Sequence, residues 1–395
     1  MAEAFVVDGV RTPIGRYGGS LSSVRADDLA ARVIAELVAR SGVDPVAIDD
    51  VIFGDANQAG EDNRNVARMS VLLSGLPDSI PGITVNRLCA SGLSAVHLAA
   101  AMVKSGEVDI VIAGGVESMT RAPWVLAKPE KAFAKPGEIY DTSLGWRFVN
   151  PQLAARAKAT FSMTETGEYV GAREGISRND ADEFAYRSHR RALAAIEAGH
   201  FDREIVPVNT PRGQVVTVDE GPRADTSLEV LAGLRPVVEG GSIVTAGNSS
   251  PLNDGAAAVL IASAEAIERY GLTARARVVG GASAGLAPEV MGLGPIPATR
   301  KLLARTGRTV EAIDAVELNE AFATQSLACV RTLGFDESIV NADGGAIALG
   351  HPLGASGTRL LVTLLGRMER EDATLGLATM CVGVGQGAAL LVEAV

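Results

Sequence analysis

One offset of 305 − 40 = 265 residues lays three separated segments of this chain onto three later ones. Arg40-Ser41-Gly42 matches Arg305-Thr306-Gly307, Ala47-Ile48-Asp49 matches Ala312-Ile313-Asp314, and Ala90-Ser91-Gly92 matches Ala355-Ser356-Gly357, with Val51 on Val316 at the same shift. Small residues match easily by chance, but a gapless offset shared by separated segments argues for two copies of one unit. Each copy alternates strand-like apolar runs with stretches of helical period. Strands are predicted over 4–8, 50–53, 84–86 and 109–113, and again over 277–281, 315–317, 339–341 and 374–378. Helices are predicted over 28–41, 65–74 and 92–105, and again over 298–306, 321–333 and 356–369. This βαβ alternation points to an α/β fold with buried, largely parallel sheets. Between the copies, from about residue 120 to 245, the pattern breaks into Pro, Gly and charged residues around a helical stretch at 180–198, an inserted lobe.

At 395 residues the chain exceeds one ordinary core, and two or three domains are expected. Its net charge of −11 gives it no electrostatic case for nucleic acid. Residues 121–160 run against that balance, with seven basic side chains and three acidic ones, a face for phosphates, for an acidic neighbouring subunit or simply for water. Three cysteines cannot form a disulfide framework, and free thiols suit a reducing compartment such as the cytoplasm. Residues 1–8 lack the basic and long apolar regions of a secretory signal and read as a strand. The longest apolar stretch, from Gly92, meets His97 and Lys104 before membrane-spanning length, so no membrane segment is expected.

Chemistry concentrates at the turns. Cys89 lies between a strand and a helix, where unpaired N–H groups and the helix dipole favour thiolate, although free Cys is as often a small buried hydrophobe. The repeat places position 354 opposite Cys89, and three residues earlier stands His351 at a glycine-rich elbow. A pseudo-twofold axis between the copies would let the two elbows meet, and Cys with His is an activated pair. A second thiol, Cys381, opens the turn Cys381-Val382-Gly383-Val384-Gly385-Gln386-Gly387. A nucleotide fingerprint there is rejected, because residues 388–392 read as a closing strand and not a helix; the N–H of Gly383 would instead serve an oxyanion. Asn319 ends a strand and is a candidate site residue or a helix N-cap. Cys329 and His97 read as core groups, His189 and His200 show no pairing, and no cluster has metal-ligand spacing.

In this order and context, Cys89, Asn319, His351 and Cys381 make the chain resemble the thiolases, the acetyl-CoA C-acyltransferases. The match extends through Arg11-Thr12-Pro13, Gly114-Gly115-Val116-Glu117-Ser118-Met119, Thr245-Ala246-Gly247-Asn248 and Asn319-Glu320-Ala321-Phe322. The resemblance implies duplicated halves in a layered α/β/α/β/α core: residues 1–119 with 246–270, an inserted loop domain over 120–245, and residues 271–395. It implies that Cys89 carries the acyl group, that His351 activates it, and that Cys381 moves the α-proton. Asn319 would hold a water that polarises the second thioester with His351, and the Cys89 and Gly383 amides would hold the acyl oxygen. Ser250, Ala246, Arg223, Met163, Ala321 and Phe322 would touch coenzyme A. The implied partners are acyl-CoA, acetyl-CoA and CoA as substrates, with no separate cofactor and no metal, and the implied assembly is a homotetramer, a dimer of dimers.

Departures from the family pattern sharpen the expectation. Ser250 is followed by Pro251 where Gly is usual, Ser162 replaces a His found in some biosynthetic members, and Val384 replaces a turn glycine. With the segments 57–65 and 145–151, Val384 resembles thiolases acting on 3-oxoadipyl-CoA, acetoacetyl-CoA being the other substrate considered. A dicarboxylic chain would want a cation, for which Arg147 and Arg64 are candidates on charge alone. The alternatives are a ketoacyl synthase-type condensing enzyme, which lacks the need for Cys381, and a non-catalytic acyl-CoA-binding protein on the same fold.

Overall fold

The computed structural model describes residues 2–395. The first copy runs β1 (Ala4–Arg11), β2 (Gly15–Arg16), α1 (Ala26–Ser41), β3 (Asp50–Gly54), α2 (Val66–Leu73), β4 (Gly82–Val85), α3 (Ser91–Ser105) and β5 (Ile110–Ser118). The middle region holds the hairpin β6 (Trp124–Leu126) and β7 (Ile139–Asp141), helices α4 (Pro151–Ala154), α5 (Met163–Arg173) and α6 (Arg178–Glu197), the hairpin β8 (Val208–Asn209) and β9 (Val215–Val216), and α7 (Leu228–Ala232). After β10 (Asn253–Ser263) and α8 (Ala264–Tyr270), the second copy follows as β11 (Ala276–Gly285), α9 (Pro295–Thr306), β12 (Ala315–Leu318), α10 (Ala323–Leu333), α11 (Ala346–Leu349), α12 (Leu353–Glu371), β13 (Leu375–Val382) and β14 (Gln386–Ala394).

A ten-stranded sheet has the order β4-β3-β5-β10-β1-β11-β14-β13-β12, with β2 alongside β10. Read inward from either end, the order is the same. β3, β5, β10 and β1 take the places of β12, β13, β14 and β11, and where β4 lies beside β3, Val340 makes a parallel bridge to Val316 beside the equivalent strand. A pseudo-twofold axis between β1 and β11 therefore relates the halves. Local devices repeat with it. The Asp49 carboxylate accepts the N–H groups of Asp109 and Ile110 at 2.7 and 2.9 Å, and Asp314 does the same for Thr374 and Leu375 at 2.9 and 2.8 Å.

The expectation of largely parallel sheets is corrected. β3 is parallel to β4 and β5, and β12 to β13, but β10, β1, β11 and β14 join their neighbours antiparallel. Continuous apolar runs report that both faces of a strand are covered; they do not fix its direction. The strand expected over 339–341 is reduced to the single bridge at Val340.

Helices α3 and α12 form the middle layer. Leu93, Val96 and Val103 of α3 share one core with Leu360, Leu361 and Leu365 of α12 and with strands of both halves, including Val111, Ile261, Met380 and Leu390. α1 and α2 cover the outer face of the first half, α9 and α10 that of the second, which makes five layers. Residues Leu88–Ser105 are, against expectation, long and apolar enough by composition to cross a membrane, with a mean hydropathy of 1.3 over 18 residues. Half of that stretch is buried, where one face of α3 packs between the two sheet halves.

The repeat glycines Gly92 and Gly357 set how closely these helices meet. A Cβ on Gly92 would lie 2.6 Å from the Gly354 carbonyl oxygen, and one on Gly357 would lie 2.3 Å from the Leu93 nitrogen. Backbone thus touches backbone at the starts of α3 and α12, and the two elbows that precede them come together. Arg11 of β1, fully buried, ties the middle region to this core through Glu204 at 2.6 Å and Asp219 at 2.7 Å.

Candidate active site

Cys89 sits two residues before α3 on a tightly held turn. Leu88 adopts a left-handed φ of 47°, its N–H donates to Asn86 Oδ1 at 2.8 Å, and Ser91 Oγ donates to the Leu88 carbonyl at 2.6 Å while accepting the Arg87 N–H at 2.9 Å. The thiolate expected from the helix dipole is not the resting form. Burial pushes the Cys89 pKa up to about 11, and the Gly383 N–H beside the sulfur offsets only part of that. A thiol so held would need a base before it could act as a nucleophile.

His351 stands at the equivalent elbow, two residues before α12. Its N–H donates to Asn253 Oδ1 at 2.9 Å, and its Nδ1 lies 2.7 Å from Ser356 Oγ. Ser356 spends its one proton on the Pro352 carbonyl at 2.8 Å, so it accepts from Nδ1–H, and the network assigns a bare Nε2. Asn319 Nδ2, 3.3 Å from Nε2, is consistent with that tautomer. Burial, aided by the charge of Arg359, lowers the imidazole pKa to about 3. His351 is a neutral ring whose unprotonated Nε2 accepts from Asn319 through a long bond of 3.3 Å.

Asn319 is fully buried at the end of β12, its N–H donating to the Thr379 carbonyl at 3.0 Å. α10 begins only at Ala323 with Phe322 in the capping position, so the N-cap reading of Asn319 falls. Its Oδ1 has no hydrogen-bond partner among the described residues. Cys381, 1% exposed near the end of β13, is held well above the usual thiol range by burial, with Cys89 and Cys329 adding to the shift. In the turn that follows, Val384 and Gly385 both have positive φ, 62° and 77°, so a β-branched residue occupies a conformation suited to glycine.

Cys89, His351 and Cys381 line one narrow cleft with a cavity volume of about 100 Å³, together with Met163, Ser250, Ala321 and Phe322. Asn319 adjoins it through His351, and Gly383 through Cys89. Ala246 and Arg223 are exposed and do not line it; the Arg223 N–H donates to His189 Nδ1 at 3.2 Å. Ser162 caps α5 in a reciprocal arrangement with Glu165. Cys329 is fully buried, its Sγ 3.4 Å from the Gly292 carbonyl. His200, expected to lack a partner, lies 2.7 Å from Asp343.

Sequence reasoning missed three groups that hold the site. Ser356 fixes the His351 ring, Asn253 fixes its backbone, and Glu117 accepts the N–H groups of Gly354, Ala56 and Asn57 at 2.8, 3.0 and 3.2 Å, pinning the start of α12. Ser356 was legible in the repeated Ala-Ser-Gly, where Ser91 and Ser356 each fold back on the turn before a helix. Glu117 stood inside a recognised motif. Asn253 had no sequence signal.

The family model for the thiolase N-terminal domain matches residues 4–265, and that for the thiolase C-terminal domain matches residues 272–394. A beta-ketoadipyl-CoA thiolase of Pseudomonas aeruginosa is 57% identical over 400 residues, covering 100% of this chain and 99% of the relative. A 3-oxoadipyl-CoA/3-oxo-5,6-dehydrosuberyl-CoA thiolase of Escherichia coli is 53% identical over 402 residues, covering both chains completely. The crystal structure of human mitochondrial 3-ketoacyl-CoA thiolase in complex with CoA superposes with a TM-score of 0.93 at 36% identity, covering 100% of this chain and 98% of that one.

Proposed function

The chain belongs to the thiolase family, and we propose that it cleaves 3-oxoadipyl-CoA with CoA, giving acetyl-CoA and succinyl-CoA. It is an acyltransferase; neither a ketoacyl synthase nor a non-catalytic carrier is favoured, since the thiolase models match both halves of the chain. The observation that carries the mechanism is the convergence of Cys89, neutral His351 and Cys381 on one cleft. In this reading His351 Nε2 takes the Cys89 proton as Sγ attacks the 3-oxo carbon, and the Cys89 and Gly383 amides hold the oxyanion. The C2–C3 bond breaks, and the departing acetyl-CoA carbanion takes a proton from Cys381, whose raised pKa keeps it protonated for that role. Cys381, now thiolate, deprotonates incoming CoA; the CoA sulfur attacks the succinyl group on Cys89, and the leaving Cys89 recovers its proton from His351. Asn319 supports a water that assists His351 on the second thioester.

Ser250, Met163, Ala321 and Phe322, on the cleft wall, would meet the pantetheine end of CoA, while exposed Arg223 and Ala246 would meet its outer part. The site's free thiols suit a reducing cytoplasm. A homotetramer is supported by the open edge of β4, where Ile83 is 51% exposed, and by the exposed apolar side chains of the β6–β7 hairpin, where Trp124 is 74% and Ile139 61% exposed; light scattering giving the mass of four chains fits, and that of one chain overturns it. The substrate is tested by kcat/KM for thiolysis of 3-oxoadipyl-CoA and acetoacetyl-CoA. The former is expected to be preferred; preference for acetoacetyl-CoA would overturn the dicarboxylic reading.

A further inference from the structure

The cleft has walls for the methylenes of an acyl chain but no charge for a carboxylate at its end. Its lining includes Met119, Leu144, Met163, Leu252 and Met291, and no Lys or Arg. Apolar walls discriminate weakly between chains of similar size, whereas a polar group placed for a substrate polar group discriminates strongly. A terminal carboxylate inside such a cleft must find a donor or stay in water.

We propose that Arg147 pairs with the terminal carboxylate of the acyl chain and selects dicarboxylic over neutral 3-oxoacyl-CoA substrates; this rests on the dicarboxylic reading above. Arg147 lies three residues beyond Leu144, which lines the cleft, on a segment tied at Trp146 to Phe161, two residues before the cleft-lining Met163. Thr142 Oγ1 donates to the Pro123 carbonyl at 2.6 Å and accepts Asn57 Nδ2 at 2.9 Å. Trp146 Nε1 donates to the Phe161 carbonyl at 3.3 Å, and the Phe148 ring meets Tyr140 edge-on at 5.1 Å. Both neighbours of Arg147 are thus anchored, while Arg147, a half-buried residue, has no carboxylate or carbonyl partner for its guanidinium among the described residues.

Two other arginines of this region are committed to carboxylates. Arg121 grips Glu61 with two bonds of 2.5 Å, and Arg25 holds Asp27 at 2.8 and 2.9 Å. Arg64, the second candidate on charge alone, is exposed, where pairing is weakened by water. A planar guanidinium on a fixed, partly desolvated rim matches a carboxylate with two donors at once. Leu144 and Arg147 together would give the cleft an apolar wall and a charged rim.

The test compares wild type, Arg147→Gln and Arg147→Lys in thiolysis of 3-oxoadipyl-CoA and of 3-oxohexanoyl-CoA, the six-carbon chain without the carboxylate. Arg147→Gln is expected to lower kcat/KM for 3-oxoadipyl-CoA roughly 10- to 100-fold, chiefly through KM, as loss of a charged hydrogen bond does. Activity on 3-oxohexanoyl-CoA should stay within about twofold, and Arg147→Lys should recover part of the loss. Equal effects of Arg147→Gln on both substrates, or none on either, would overturn the assignment of Arg147 while leaving a dicarboxylate preference of the wild type intact. A wild type indifferent to the carboxylate would instead overturn the dicarboxylic reading itself.

Discussion

Ser356 governs what His351 can do. By accepting Nδ1–H it leaves Nε2 as the only basic nitrogen, and by donating to Pro352 it cannot turn round. Ser356→Ala should free the ring and its tautomer, lowering kcat/KM for acyl transfer about 10- to 100-fold with KM little changed, while Ser356→Thr keeps the hydroxyl and part of the rate; wild-type kinetics in Ser356→Ala would contradict this. The lowered pKa of His351, about 3, has its own signature. The rate should show no histidine inflection near pH 6.5, because the folded imidazole stays neutral well below it. The sign for folding follows: between pH 6.5 and about 3 the unfolded ring takes up a proton that the folded one refuses, so the contribution of His351 to stability is lost as pH falls. The positions of Cys89, His351 and Cys381 were legible in the sequence because each stands at a turn of distinctive composition. The protonation state of Cys89 was not, since a helix start shows in sequence and the burial that outweighs it does not.

The elements were largely legible because their periods and stop signals are local. α1 and α9 end at Gly42 and Gly307, both left-handed with φ of 67° and 66°, whose N–H groups donate to Val38 and Leu303, four residues back in each. Strand direction was misread, because covering by helices produces the same apolar run in a parallel or an antiparallel strand. Contact between α3 and α12 appears in no local pattern, yet it brings the elbows together. Gly357→Ala should force those backbones apart and destabilise the fold by about 1–3 kcal/mol, seen as a lower urea midpoint; an unchanged midpoint would show that the helices have room to spare.

At the scale of the molecule, duplication explains the site. The two copies put an equivalent elbow at the start of each central helix, and the axis between β1 and β11 faces them toward each other with different reagents. The middle region enters between β5 and β10, where the second copy has only the short turn from β13 to β14, so one half supplies the turn with Cys381 and Gly383 and the other supplies Met163 and the cleft rim. The repeat offset made this architecture legible; the fit of the inserted lobe did not show in it, since ties such as Arg11 to Asp219 join residues 208 apart. The central claim is a division of labour between two thiols. It is tested most directly by mass spectrometry of Cys381→Ala and Cys89→Ser after incubation with acetyl-CoA, alongside their thiolysis rates. The account predicts one acetyl group on Cys89 in Cys381→Ala with thiolysis abolished, and no adduct in Cys89→Ser. Full thiolysis by Cys381→Ala, or failure of that variant to acetylate Cys89, would contradict it.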